Sequence, residues 1–382
     1  MTARVILFGA TGYTGRLAAH SMVRAGISPV LAGRSASRLA ELADDLAAVA
    51  APGVAATCQV ADVAEPATVQ ALVTDPSDVL VSTVGPFTAL GDPAISAAIR
   101  AGAAYVDSTG EPPFIQRVFT DYHRQAVASG ARLLTAFGYD YVPGNLAGAL
   151  ALTQARADGA VPTRVEIGYF VQGAFAMSSG TKASSAGVMF APSFAFRHGR
   201  IAPERAAKET SSFEIDGRLL DGLTVGGSEH YTLPRVDTAL TDVGVYLGWA
   251  GSRTKAMSRA SGALDAVAAI PGARSLLTGI TRRLTSGPTG TGPDALQRSG
   301  GVSIAVARAF DESGALVAQT RVDGPTPYDL TADLLAWAAS MLATTRPDGV
   351  GALGPADAFG LEALVAGCRG VGLKQQAATS AN

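Results

Sequence analysis

The first third of the chain alternates between two hydrophobic periods. Val5-Ile6-Leu7-Phe8 is an unbroken apolar run, the pattern of a short strand buried on both faces. Glycines follow at 9, 12 and 15, and a helical pattern starts at once, over about 14–25, ending at Gly26. The cycle then repeats. Strands are predicted at 30–33, 54–60, 79–83, 105–107 and 132–136, with helices over about 36–50, 93–101 and 114–129. Strands separated by helices predict a parallel sheet with helices on both faces, a doubly wound Rossmann-type α/β domain over 1–144.

The texture changes afterwards. A helix over 145–156 leads to strands at 164–171, 243–249, 302–310 and 316–322, and to a hairpin over 213–220 around Asp216-Gly217. Strands with few helices between them predict a second α/β domain with a mixed sheet, over 145–326, that carries substrate or a dimer contact. Gly180 to Ser185 reads as a loop opening a short helix. Residues 257–284 read as helical, broken near Pro271-Gly272, with Arg274, Arg282 and Arg283 among apolar positions. That segment suits a helix pair packed on its own domain or a homodimer contact, with a membrane surface as the less favoured alternative. Helices over 327–343 and 355–370 are expected to return onto the first domain, as a segment spanning 327–374.

In a parallel sheet of this kind ligands sit beyond the carboxyl ends of the strands. The first turn, with Gly9, Thr11, Gly12, Tyr13, Thr14 and Gly15, is spaced G-x-x-G-x-x-G between a strand and a helix. Glycine lets the backbone approach a pyrophosphate there, and the helix start offers unpaired N–H donors. The tip of the second strand selects the nucleotide. An NAD site places Asp or Glu there, for the ribose hydroxyl. This chain has Arg34 and Ser35, with Arg38 one helical turn on. A guanidinium can grip a 2′-phosphate that a carboxylate would repel, so the expected cofactor is NADP(H). Pairing of Arg34 with a surface carboxylate is the alternative. Asp62 suits the adenine amino group or a plain loop cap. Val84, Gly85, Pro86 and Phe87 would run along the ribose and nicotinamide, with Gly110 and Glu111 at the next strand end.

Composition narrows the field. The 382 residues exceed one simple core, and 48% hydrophobic with 16% charged content suits globular domains. A net charge of −2 carries no polyanion footprint, so no nucleic-acid partner is expected. Cys58 and Cys368 are too far apart in sequence to suggest a metal site or a disulfide framework. Neither a signal-peptide pattern nor a long apolar run is present, so a cytoplasmic location is expected, with membrane association left open by 257–284.

These residues also carry a family resemblance. Gly9 to Gly15 with Ala32-Gly33-Arg34, Thr83-Val84-Gly85-Pro86-Phe87, Tyr105 to Glu111, Gly138-Tyr139-Asp140, Gly180-Thr181, Val245 to Trp249 and Gly351 to Gly360 resemble the saccharopine dehydrogenase-like oxidoreductases. Within them the chain is most similar to the branch of trans-acting enoyl reductases. The resemblance covers nearly the whole chain. It implies a Rossmann domain, a second substrate-carrying α/β domain and a nicotinamide cofactor, but not saccharopine as substrate. One loop departs from the family pattern Gly-Phe-Asp-Ser-(Val/Ile)-Pro-Ser-Asp, reading Gly138-Tyr139-Asp140-Tyr141-Val142-Pro143-Gly144-Asn145. The departure implies a different pocket or a product-specific role.

Hydride transfer needs alignment and, for a double bond, a proton source. Tyr141 is the first candidate donor, against a role as pocket wall, and Lys182 the second, against a solvated loop lysine. Asp140 and Glu111 suit orienting or capping roles, and His230 a structural one. No Tyr-x-x-x-Lys pair follows the fourth strand, and no Gly-x-Ser-x-Gly elbow or metal-spaced cluster is present. Two function classes fit. One is an NADP(H)-dependent reductase of a C=C or C=N bond, on a weakly charged lipid, polyketide or amino-acid-derived small molecule. The other is a non-catalytic NADP-binding sensor or scaffold.

Overall fold

The computed structural model describes residues 3–173, 192–248, 292–298 and 300–376, with isolated positions between 251 and 262. In chain order, β1 (Val5–Phe8), α1 (Tyr13–Arg24), β2 (Pro29–Gly33), α2 (Ala36–Ala47), β3 (Thr57–Val60), α3 (Pro66–Gln70) and β4 (Val79–Ser82) come first. They are followed by α4 (Phe87–Leu90), α5 (Asp92–Ala101), β5 (Ala104–Asp107), α6 (Pro112–Arg117), α7 (His123–Ser129), β6 (Arg132–Leu134) and α8 (Val142–Ala157). Next come β7 (Arg164–Gly173), β8 (Phe194–Arg197), β9 (Arg200–Pro203), β10 (Thr210–Ile215), β11 (Arg218–Thr224), α9 (Glu229–Val236) and β12 (Asp242–Leu247). After the turn Ala295–Arg298, the chain closes with β13 (Gly301–Phe310), β14 (Leu316–Gly324), α10 (Pro327–Thr344), β15 (Gly351–Ala352), α11 (Pro355–Phe359), α12 (Leu361–Gly370) and β16 (Lys374–Gln375). Contacts divide these elements into two units. Met1–Asp140 and Pro327–Val371 fall in the first; Tyr141 onward, Pro293–Thr326 and the residues after Val371 fall in the second.

The first unit holds a seven-stranded sheet in the order β15-β6-β5-β4-β1-β2-β3, every pair parallel. The order reverses between β1 and β4, which makes this a Rossmann-type doubly wound sheet with its switch point beside the glycine turn. All four residues of β1, β4 and β5 are buried, as their apolar runs predict. β3 starts at Thr57, not near 54, and is mostly exposed because it is the sheet's edge. A π turn, Val118–Tyr122, interrupts the expected helix 114–129. Gly360, at φ 76°, splits the expected helix 355–370 into α11 and α12. α10 lies against α1: Ser21 Oγ donates to Asp333 Oδ1 at 2.5 Å, and Tyr13 meets Tyr328 edge to face at 5.0 Å.

The second unit holds a mixed sheet, β10-β11-β12-β7-β13-β14-β16, with β8 joined to β12 and β9 to β8. β12 and β7 are parallel; the remaining pairs are antiparallel. α8 covers β7, β13 and β14, and is buried nearly all round, which explains its weak polar face. Phe170, Phe213, Ile215, Tyr246, Ile304 and Val306 form a further core. The hairpin β8–β9 and helix α9 are additional to the sequence expectation. The 180–185 loop and nearly all of the 257–284 segment lie outside the described residues, as does Trp249. Among the described residues no helix is long and apolar enough to cross a membrane.

Trp337 of α10 ties the carboxyl-terminal helices to the sheet. It stacks on Phe137 at 6.1 Å and meets Phe359 at 4.7 Å. Trp337→Ala should lower unfolding free energy by about 3 kcal/mol, the scale of a large aromatic lost from a core, read as a lower denaturant midpoint at unchanged m-value.

Candidate functional site

The glycine turn is built by close packing. Gly9 takes φ 87° and its N–H donates to Ala32 O at 2.9 Å, while Gly12 N donates to Gly9 O at 2.9 Å. A Cβ on Gly15 would lie 2.2 Å from Gly9 O, so only glycine lets α1 start there. Gly12 is the N-cap of α1 and no side chain caps that end. The first-turn amides of a helix lack intrahelical acceptors, and here they face the half-exposed turn Thr11–Thr14. Backbone donors with room for nothing larger than hydrogen at the turn fit a dinucleotide pyrophosphate.

At the tip of β2, Arg34 is exposed and makes no ion pair among the described residues. Ser35 caps α2 by accepting from Arg38 N at 3.4 Å, which turns Arg38 back so that its Nη2 reaches Thr11 O at 3.4 Å. Two guanidinium-bearing residues thus flank the turn where an NAD site carries a carboxylate, an arrangement that fits a nucleotide with an additional phosphate. Asp62 serves its own loop, accepting from Ala64 N at 3.0 Å through Oδ1.

The ends of β4, β5 and β6 are bound together. Phe87 turns its ring inward onto Phe114, at 5.7 Å, so the expected run of Val84 to Phe87 along a ligand is left to backbone and Val84. Glu111 is buried and gives both carboxylate oxygens to the amides of Phe87 and Thr88. Asp107 Oδ1 accepts from Thr109 N at 2.9 Å and Ala136 N at 3.0 Å. Burial pushes the Asp107 carboxyl up to about 6, against those two amide bonds that lower it. Asp140 sits with its carboxylate against Gly110, where a Cβ would come within 2.9 Å of Oδ2. Its Oδ1 is buried without a hydrogen-bond partner among the described residues, and burial pushes this carboxyl up to about 7.

Tyr141 belongs to the second unit. It is the N-cap residue of α8, and its buried ring packs edge to face on Tyr169 at 5.6 Å. Tyr169 Oη accepts from Gly144 N at 2.8 Å, and lies 3.0 Å from Tyr141 O and 2.5 Å from Glu229 Oε1. Asn145 Nδ2 donates to Tyr141 O at 2.9 Å and Ser228 Oγ at 3.0 Å, and Thr232 Oγ1 donates to Asn145 Oδ1. His230 Nδ1 lies 3.1 Å from Gly227 N, and burial pushes the imidazole down to about 4. Tyr169, Ser228, Glu229 and Thr232 were absent from the sequence candidates. The signal that could have found the last three is Gly226-Gly227-Ser228-Glu229, a glycine turn with polar residues opening a helix. Lys182 lies outside the described residues. Among the described residues no group of three His, Cys, Asp or Glu is placed to hold a metal ion.

A doubly wound sheet with an uncapped glycine turn and a basic second-strand tip fits a dinucleotide-binding unit. Comparison with known proteins sharpens the class. The family model of the saccharopine dehydrogenase NADP-binding domain matches residues 5–134. A Mycobacterium tuberculosis protein provisionally named a trans-acting enoyl reductase is 31% identical, over 93% of this chain and 93% of its own. A Mycobacterium ulcerans trans-acting enoyl reductase is 37% identical over 144 residues, 37% of this chain and 34% of its own. Among solved structures, yeast saccharopine dehydrogenase (L-Glu forming) superposes at TM-score 0.61 with 13% identity, covering 98% of this chain and 99% of its own. Homospermidine synthase from Legionella pneumophila, solved with NAD, gives 0.58 with 10% identity, covering 99% of this chain and 92% of its own. These two share the fold. The chain belongs to the saccharopine dehydrogenase-like family, in its trans-acting enoyl reductase branch, and is an NADP-dependent oxidoreductase.

The buried imidazole has a consequence for acid stability. The folded state holds His230 neutral down to about pH 4, whereas an unfolded chain protonates it from its ordinary value of 6.5. Its contribution is therefore complete above 6.5 and is lost as pH falls toward 4. Asp107 acts oppositely: its folded carboxyl binds a proton more tightly than the unfolded one, so its contribution grows as pH falls from 6 toward 3.8. Chemical denaturation from pH 7 to 4 should show a smaller loss of stability in His230→Gln, and a larger loss in Asp107→Asn, than in wild type.

Proposed function

We propose that the protein reduces the C=C bond of an enoyl intermediate, of lipid or polyketide type and weakly charged, with NADPH. What carries the reading is the likeness, along nearly the whole of both chains, to a protein named for enoyl reduction. A proton source completes the reading. When bound, NADPH supplies a hydride to the acceptor carbon. The backbone amides of the glycine turn, Gly9 to Gly15, would hold its pyrophosphate, and Arg34 with Ser35 and Arg38 its 2′-phosphate. Asp140 would deliver the proton to the other atom of the double bond. A carboxyl near 7 is close to half protonated at neutral pH, where a general acid works best. Tyr141 is the second candidate for that proton, its phenol being set on the residue after Asp140. Reduction of an imine C=N bond is the neighbouring chemistry, and it needs the same two groups.

The test is NADPH consumption by purified protein over a panel of enoyl thioesters and imines. Oxidation with an enoyl substrate is expected; oxidation with imines alone would move the substrate class. Binding of NADPH without turnover on any member would favour a sensor or scaffold. Removing the charge-assisted contacts in Arg34→Ala should weaken NADPH binding by about tenfold to a hundredfold and leave NADH unchanged, by calorimetry. Equal wild-type affinities for the two nucleotides would defeat the phosphate grip.

As the general acid, Asp140 must be protonated, so kcat should fall as pH rises through about 7. Asp140→Asn should lose that limb and about 100-fold or more in kcat. A limb that survives in Asp140→Asn and disappears in Tyr141→Phe would hand the role to Tyr141.

A further inference from the structure

Glu111 is the centre of a hydrogen-bonded strut that crosses three strand ends within the cofactor unit. Its Oε1 accepts from Phe87 N and its Oε2 from Thr88 N, each at 2.9 Å. Those amides open α4 directly after Val84-Gly85-Pro86. At the other end of that short loop, Thr83 Oγ1 donates toward Gly9 O at 3.2 Å. The loop is therefore fastened to the glycine turn on one side and to Glu111 on the other. Behind Glu111, its own N–H donates to Thr109 Oγ1 at 3.1 Å, and Thr109 N to Asp107 Oδ1. Asp107 in turn holds Ala136, at φ 58°, through Oδ1, and Phe137 through its carbonyl at 2.7 Å. Three residues further along lies Asp140, resting on Gly110 next to Glu111.

We propose that Glu111 is a positioning residue of the reduction: it fixes the spacing between the β4 loop, with the glycine turn behind it, and Asp140. This rests on the reading of Asp140 as the acid. Glu111 is assigned this role through the two backbone amides that its carboxylate holds. The role needs a carboxylate. Two N–H donors meet two acceptor oxygens, and an amide would set an NH2 against one of them. Such a mismatch shifts the loop and alters alignment without removing a chemical group. Small displacements of aligned groups cost about tenfold to a hundredfold in rate.

The experiment is Glu111→Gln, with Glu111→Asp as a second variant that keeps the charge but is one methylene shorter. Rates with NADPH and with NADPH deuterated at the transferred position are compared. Expected in Glu111→Gln is a kcat at least about tenfold lower with a larger isotope effect on kcat, since misalignment makes hydride transfer more rate-limiting. A fall in kcat with the isotope effect unchanged, matching only a loss of folded enzyme, overturns the proposal; so does an unchanged kcat. Glu111→Asp should lie between the two. Amide hydrogen exchange supplies a readout free of activity: Phe87 and Thr88 should exchange at least about tenfold faster in Glu111→Gln. Unchanged exchange overturns the proposal even if no substrate is turned over. Wild-type inactivity across the substrate panel, with faster exchange in the variant, sinks the enoyl-reduction reading and leaves the strut standing.

Discussion

The carbonyl oxygen of Gly9 occupies the space that a Cβ on Gly15 would need, 2.2 Å away. This approach lets α1 begin directly at the end of β1 instead of after a longer loop. The end of α1 then carries no side-chain cap, so its amides remain available to an anion. It also sets the neighbours. Ala32 O receives both Gly9 N and Ala10 N, which keys the β2 tip to the turn and brings the Arg34–Arg38 segment alongside. Thr83 at the end of β4 leans on the same glycine from the opposite side. A side chain at position 15 would have to open the turn, and with it the relation between the three strand ends.

The two units handle buried polarity differently. In the first, carboxylates at strand ends serve as multi-acceptor struts for backbone amides, Asp107 through one oxygen and Glu111 through both. Amide bonds hold Asp107 lower than its burial alone would, yet its carboxyl still stands near 6. Asp140 lacks such help at Oδ1 and stands higher, near 7. A graded set of acids is thereby placed at the ends of adjacent strands. In the second unit the buried polar groups knit α8 to α9 and β7 instead. Tyr169 joins the start of α8 to Glu229, and Asn145 joins the same turn to Ser228 and Thr232. That network fixes where α8 begins.

The first sheet was readable from periodicity because its strands are buried on both faces and its helices are amphipathic. The runs Val5–Phe8, Val79–Ser82 and Ala104–Asp107 are apolar up to their carboxyl ends, where Ser82 and Asp107 stand, and became fully buried strands. The glycine spacing and the bare Arg34 tip were local features, so nucleotide class and fold followed from them without any long-range information. β3 was legible only to within three residues, since an exposed edge strand has little pattern to read.

The roles of individual polar residues were decided elsewhere. Nothing in Glu111's neighbourhood in sequence shows that its carboxylate would be consumed by amides 23 and 24 residues earlier. Phe87 was expected in the run along the ribose and nicotinamide, and its ring packs on Phe114, 27 positions later. Tyr169 sits in an ordinary strand pattern, and its link to Glu229 spans 60 positions. Sequence by itself determined what is governed by neighbours along the chain: the strand and helix periods, the turn that admits only glycine, and the charge at the β2 tip. Tertiary structure alone decided which buried carboxyls are spent on backbone donors and which remain free to hold a proton, because desolvation and hydrogen bonding depend on groups that only folding brings within 3 Å.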